Sequence, residues 1–246
     1  MARDGHRHVL AIGGLRGTDR IGFSRDGSPL LLSYAARLTG SRSPRICMLN
    51  TAMGDDPGAY LRTYQLLGAL PGRLTHLQLF PMPNAADPED LLLSQDMIFV
   101  GGGSVANMLA VWQVHGVDAV MRTAWQAGIV LSGVSAGAIC WFSGGTTDSF
   151  GTGLRPFTGG LGLFKPSYCP HYDSEEQRRP LYQSLIANGT LPPGFACDDG
   201  AAAHFVDDAL DGIVADAPEA HGYLVDRAQN GTAVETVLGT RVLSGR

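Results

Sequence analysis

Short apolar runs of four or five residues recur along the chain, and between them apolar positions return at helical spacing. That alternation predicts a parallel sheet covered by helices. Val9-Leu10-Ala11-Ile12 is the first expected strand, and it ends in Gly13-Gly14. Further strands are expected at 46–49, 77–80, 97–100 and 128–132, with helices at 28–38, 55–67, 106–111 and 117–126 among them. Asp55-Asp56-Pro57 and Asp87-Pro88-Glu89-Asp90 have the form of helix openings, because carboxylates favour the positive end of a helix and proline fits its first turn.

Farther along, residues 144–162 are rich in Gly, Thr and Ser and read as a long loop, a length that in compact domains often serves function. Residues 175–187 are helical, with Asn188-Gly189 as their stop. Residues 222–227 and 232–238 flank Asn230-Gly231, a strong hairpin signal that gives the sheet an antiparallel edge. With no internal repeat and no linker, residues 1–246 are expected to form a single α/β domain.

Composition narrows the partners. The chain is 44% hydrophobic and 17% charged with net charge −5, and it has no basic run of the kind that tracks a nucleic-acid backbone. No run approaches the roughly 20 apolar residues of a membrane span, and the polar start, Met1 to His8, is not a secretory signal, so a cytoplasmic location is expected. Cys47, Cys140, Cys169 and Cys197 are far apart and lie in or beside apolar stretches, which suits reduced core thiols better than disulfides or zinc. His6 and His8 have no supporting ligand cluster, so no metal is indicated. Neither Gly101-Gly102-Gly103-Ser104 nor Gly13-Gly14-Leu15-Arg16-Gly17 follows the dinucleotide fingerprint, and no cofactor is expected.

The chemistry concentrates at Gly133-Val134-Ser135-Ala136-Gly137. A strand at 128–132 precedes it and a helical run from Ala138 follows, so Ser135 has the setting of a nucleophile elbow. The free amides and helix N-terminus at such a turn can stabilise charge developing on a carbonyl oxygen. A serine hydroxyl needs a base, and His171, in Tyr168-Cys169-Pro170-His171-Tyr172-Asp173, lies where a short apolar run ends. His204 alternates with apolar neighbours and reads as structural. Asp148 and Asp199 are both candidates for the acid that fixes the imidazole tautomer. The glycine loop at 101–103 can present amides to an oxyanion.

These pieces, in this order, resemble the peptidase E family of serine peptidases, which includes aspartyl dipeptidases and is related to cyanophycinases. The matching segments are Phe99 to Ser104, Gly133 to Ala138, Thr146-Thr147-Asp148, Pro170-His171-Tyr172 and Asp198-Asp199-Gly200. The resemblance implies a mostly parallel sheet with helices on both faces, like class I glutamine amidotransferase domains (a flavodoxin-like arrangement). It implies Ser135 as nucleophile, His171 as general base, Asp199 as the orienting acid where the family usually has glutamate, and Asp148 as a supporting site residue. Amides of Gly102 or Gly103 and of Ala136 would form the oxyanion hole. The family's aspartyl dipeptidases read an N-terminal aspartate with an arginine shortly after the histidine. That place here holds Ser174-Glu175-Glu176 followed by Arg178, making Arg178 and Glu175 the candidate substrate-binding residues and disfavouring a strict acidic preference. A short peptide is the expected substrate, and a homodimer is left open. An α/β-hydrolase esterase would order its triad Ser, acid, His, which fits poorly with Asp199 lying beyond His171. A silent small-ligand module of the same fold is the other alternative.

Overall fold

Val9 and Ala11 pack into one apolar cluster while Leu10 and Ile12 pack into another, so both faces of the strand that carries them are covered. The computed structural model describes residues 4–16 and 29–244. Its strands are β1 (His8–Ile12), β2 (Arg45–Leu49), β3 (Arg73–Leu77), β4 (Met97–Val100), β5 (Val130–Val134), β6 (Gly145–Thr147), β7 (Arg155–Phe157), β8 (Ser167–Cys169), β9 (Gly194–Cys197), β10 (Ala201–Val206), β11 (Ala209–Ala215), β12 (Gly222–Arg227), β13 (Ala233–Val237) and β14 (Thr240–Val242). The helices are α1 (Leu30–Leu38), α2 (Pro57–Leu67), α3 (Pro88–Leu93), α4 (Val105–His115), α5 (Val117–Gln126), α6 (Ala136–Ile139) and α7 (Arg178–Ala187).

The larger sheet has the order β14-β11-β10-β1-β5-β4-β2-β3, and within it only β10 is reversed. Side chains of α1 and α2 fill one face, those of α3 to α6 the other. A second sheet runs β13-β12-β9-β8-β6-β7. Phe164, Tyr168 and Cys197 join it to the larger cluster, and α7 covers its other side through Tyr182, Leu185 and Ile186. All four cysteines are free and buried, and burial pushes the Cys47, Cys169 and Cys197 thiols up to about 12.

Several expectations shift. The third strand lies at Arg73–Leu77 rather than 77–80, because buried Leu79 is fixed through a side chain: the Asp55 carboxylate takes the amides of Leu79 and Phe80. The strand before the serine runs two residues farther than expected, to Val134. The helix after it starts at Ala136 and makes a single turn, so free amides, not a long helix dipole, are what it offers. The supposed loop at 144–162 contains the β6–β7 hairpin. The Asn230-Gly231 hairpin forms as β12–β13, at the edge of the second sheet and not of the first. Helix α1 begins at Leu30, and position 28 of the expected helix lies outside the described residues. Helix α7 begins three residues later than expected.

Reversed β10 places His204 against β1. The His8 and His204 rings stack 5.3 Å apart, with His8 Nδ1 and His204 Nε2 at 3.1 Å. Asp4 Oδ2 lies 3.0 Å from His8 Nε2; the Tyr34 hydroxyl and Asp211 Oδ2 lie 3.1 and 3.2 Å from His204 Nδ1. Burial, with the neighbouring His8, holds His204 down at about 4. The unfolded chain binds that proton from about pH 6.5 downward while the folded chain does not. Stability is therefore expected to fall as pH drops from about 6.5 toward 4, with about 3 kcal/mol of that loss due to His204. Urea unfolding of wild type and of His204→Gln across this range measures it: the variant is expected to show the shallower slope.

Candidate active site

The turn after β5 is built by close packing. A Cβ on Gly133 would sit 2.0 Å from the Gly137 carbonyl oxygen, and one on Gly137 would sit 2.2 Å from that of Val100. Both distances are far inside contact, so these glycines let the turn press onto β4 and β5. Between them Ser135 is held at φ 56°, ψ −116°, a backbone that L-residues rarely adopt and that costs on the order of 1–3 kcal/mol. Its amide donates to the Ile12 carbonyl at 3.1 Å, while its carbonyl takes the amides of Ala138 and Ile139. Ser135 is only half-buried, and its hydroxyl makes no hydrogen bond among the described residues.

Two residues beyond Ile12, Gly14 touches the other half of the site. His171 Nδ1 lies 2.7 Å from Asp199 Oδ1, and a Cβ on Gly14 would fall 1.8 Å from that oxygen and 2.7 Å from that nitrogen. The end of β1 thus brackets Ser135 on one side and the histidine–carboxylate pair on the other. His171 also has left-handed backbone, φ 51°. Its carbonyl accepts from the Glu175 amide at 3.3 Å.

Asp199 is held on every side. Its amide donates to Asp173 Oδ1 at 2.8 Å, and its carbonyl accepts from Arg16 Nε at 3.0 Å. Burial tends to raise its carboxyl; the hydrogen bond and charge of His171, with Ser174 and Arg16, more than offset this and hold it below the usual carboxylate range. Asp199 therefore stays ionised wherever the imidazole can use it. Arg16 is itself fixed by Glu219 and lies 3.7 Å from Asp216, whose burial pushes its carboxyl up to about 6.

On the other flank, the loop after β4 lies against the turn that follows β2. The Gly101 amide donates to Leu49, and Ser104 donates to the Ala52 carbonyl at 2.8 Å before its hydroxyl caps α4 through Asn107. A Cβ on Gly102 would sit 3.2 Å from Ser135 Cβ. The amides of Gly102, Gly103 and Ala136 donate to no group among the described residues. Unpaired donors gathered beside a serine are what an oxyanion requires.

Three of the expected site residues stand apart. Asp148 is exposed beyond β6, with no hydrogen bond to His171; the acid in contact with the imidazole is Asp199. Arg178 is buried at the start of α7, its Nε on Glu175 at 2.7 Å and a terminal nitrogen on the Thr146 carbonyl at 2.8 Å. Arg178 and Glu175 therefore tie α7 and the turn after His171 to β6, and the guanidinium is not free to meet a substrate carboxylate. Conversely, sequence reading missed Gly14, Arg16 and Asp173. Their signal is the clustering of small and charged residues where β1 ends, but their partner lies far off in sequence. Among the described residues, no group of three or more His, Cys, Asp or Glu side chains could hold a metal ion, and no helix is long and apolar enough to cross a membrane.

A serine on a strained strand-to-helix turn and a histidine bonded to a half-buried carboxylate, both anchored at the end of one strand of a mostly parallel α/β sheet, fit a hydrolytic enzyme of the serine type. The chain belongs to peptidase family S51, whose sequence model matches residues 23–213. It is 40% identical over 227 residues to the uncharacterised peptidase YgaJ of Bacillus subtilis (strain 168), covering 91% of this chain and 94% of that one. Its fold corresponds to that of a crystallised peptidase from an acI-B1 Actinobacterium, with TM-score 0.64, 16% identity and 95% of each chain covered. A candidate peptidase E protein from Listeria monocytogenes EGD-e gives TM-score 0.58 at 15% identity, covering 84% of this chain and 97% of that one. The chain is a serine peptidase of the peptidase E type.

The role of Gly14 can be read directly. Gly14→Ala places a methyl group in the His171–Asp199 contact, and the low-field imidazole proton resonance expected of that pair is predicted to disappear while the far-ultraviolet dichroism stays that of wild type.

Proposed function

We propose that the chain hydrolyses short peptides as an exopeptidase, through an acyl-enzyme formed on Ser135. The observation that carries this reading is the 2.7 Å contact of His171 with Asp199, two residues along β1 from the backbone bond that holds Ser135. In this reading the Asp199 carboxylate accepts from Nδ1–H of His171 and leaves Nε2 as the base. Nε2 takes the hydroxyl proton as Ser135 Oγ attacks the peptide carbonyl carbon. The carbonyl oxygen, now negative, is received by amides of Gly102 or Gly103 and Ala136. As the C–N bond breaks, the imidazolium returns its proton to the leaving amine, which departs neutral. Water then attacks the acyl carbon as it gives a proton to the same nitrogen, the C–Oγ bond breaks with that proton passed to Ser135 Oγ, and the acyl group leaves as a carboxylic acid. No cofactor takes part. The small peptide size follows from the resemblance to peptidase E, and the core shared by the two sheets supports one catalytic domain.

Ser135→Ala is expected to abolish hydrolysis across a panel of di- and tripeptides, and with it labelling by a serine-directed phosphonate. Asp199→Asn is expected to slow both turnover and labelling by roughly 10²–10⁴-fold, the scale of a lost orienting acid. Unchanged turnover by Ser135→Ala in a clean preparation overturns the proposal.

A further inference from the structure

One large apolar side chain stands half-exposed against the glycine loop that abuts Ser135. Met53 ends the 3-10 turn Thr51–Met53 that follows β2, and it is 46% exposed. Its Sδ lies 3.0 Å from where a Cβ on Gly103 would be, one residue from the Gly102 position that abuts Ser135. Nothing in folding calls for a half-exposed methionine against a catalytic loop, and a flexible thioether adapts well to apolar groups of varied shape.

The turn carrying Met53 is held in place with unusual care. Asp55, two residues on, is buried and has left-handed backbone, φ 55°. Its Oδ2 accepts the amides of Leu79, at 2.6 Å, and Phe80, at 2.9 Å, while Oδ1 accepts the Tyr60 hydroxyl at 3.0 Å. That clamp ties the turn after Met53 to the backbone of Leu79 and Phe80. Strained backbone kept by a fully bonded carboxylate is the mark of a surface whose position matters. The charged side chains near the histidine offer no contrary signal. Among the described residues, the guanidinium groups of Arg16, Arg178 and Arg179 are each engaged by a carboxylate, of Glu219, Glu175 and Glu235.

We infer that Met53 is the specificity wall of the site, and that the preferred peptides carry a large apolar side chain next to the scissile bond. This inference rests on the peptidase reading above for its substrate class. Asp55 is a positioning residue: it touches no substrate and acts by fixing the turn.

The experiment is a di- and tripeptide panel with Leu, Phe, Met, Ala, Asp or Lys at each position, read in two ways. Hydrolysis is measured with wild type, Met53→Glu and Met53→Ser; binding of the same peptides is measured by calorimetry to Ser135→Ala with and without the same Met53 changes. Wild type is expected to favour Leu, Phe or Met over Asp at one position by about tenfold or more, the discrimination a single apolar contact surface supplies. In both Met53 variants the Leu-to-Ala ratio is expected to fall by about that factor, through KM and binding and not through kcat. An acidic preference, or a Leu-to-Ala ratio unchanged in both Met53 variants, overturns the inference. The two readouts separate it from the peptidase reading. Hydrolysis with Met53-independent selectivity removes the wall and keeps the peptidase. Met53-dependent binding of apolar peptides without any hydrolysis removes the peptidase and keeps the wall.

Discussion

The contact between His171 and Asp199 has room to form because Gly14, two residues past the end of β1, has no side chain. Gly14 lies so near both groups that one added carbon would occupy the space their hydrogen bond needs. Much else in the molecule follows from keeping that approach. The reversed strand β10 pairs with β1 and so brings the turn at Asp198-Asp199-Gly200 to the strand's end. Arg16 and Asp173 then hold the backbone of Asp199 from both sides, leaving its carboxylate free for the imidazole. The neighbouring Asp198 does a different job: it accepts the His221 amide and the Tyr223 hydroxyl, fastening the same turn to β12. Two sheets meet at this turn, and the acid stands at their junction.

Those dependencies explain which parts were legible beforehand. Strand β4 could be read to the residue, since Met97 to Val100 is an unbroken apolar run stopped by glycine. Asp56 and Asp87 both cap their helices through side-chain oxygens, as their place before proline implied. Strand β3 could not be read, because Leu77 and Leu79 are buried for different reasons, one in the sheet and one under the Asp55 clamp. Strands β6 and β7 are three residues each, with little apolar content, and β6 is fixed by Arg178 from a helix 32 positions away. Local pattern carries no trace of such a bond.

The site shows the same division. Ser135 and His171 each sit where an apolar run meets a turn, whereas Asp199 is distinguished from Asp148 in sequence only by the resemblance to peptidase E. Arg178 looked available because sequence shows charge and not burial; in the fold it is a structural tie. Gly14 and Arg16 looked like loop residues because their partner comes some 183 positions later. The proposed catalytic groups announce themselves by type and setting, whereas the residues that hold them are defined by distance in space.

Ser135 and His171 share one further property: both hold backbone angles that side chains resist. Each backbone would sit more comfortably as glycine, at the loss of the Ser135 hydroxyl and of the His171–Asp199 hydrogen bond. Under the proposed mechanism, relief of that backbone strain would discard the reactive groups themselves. In that reading, drift toward a relaxed backbone is drift toward an inert relative, and selection on turnover opposes it.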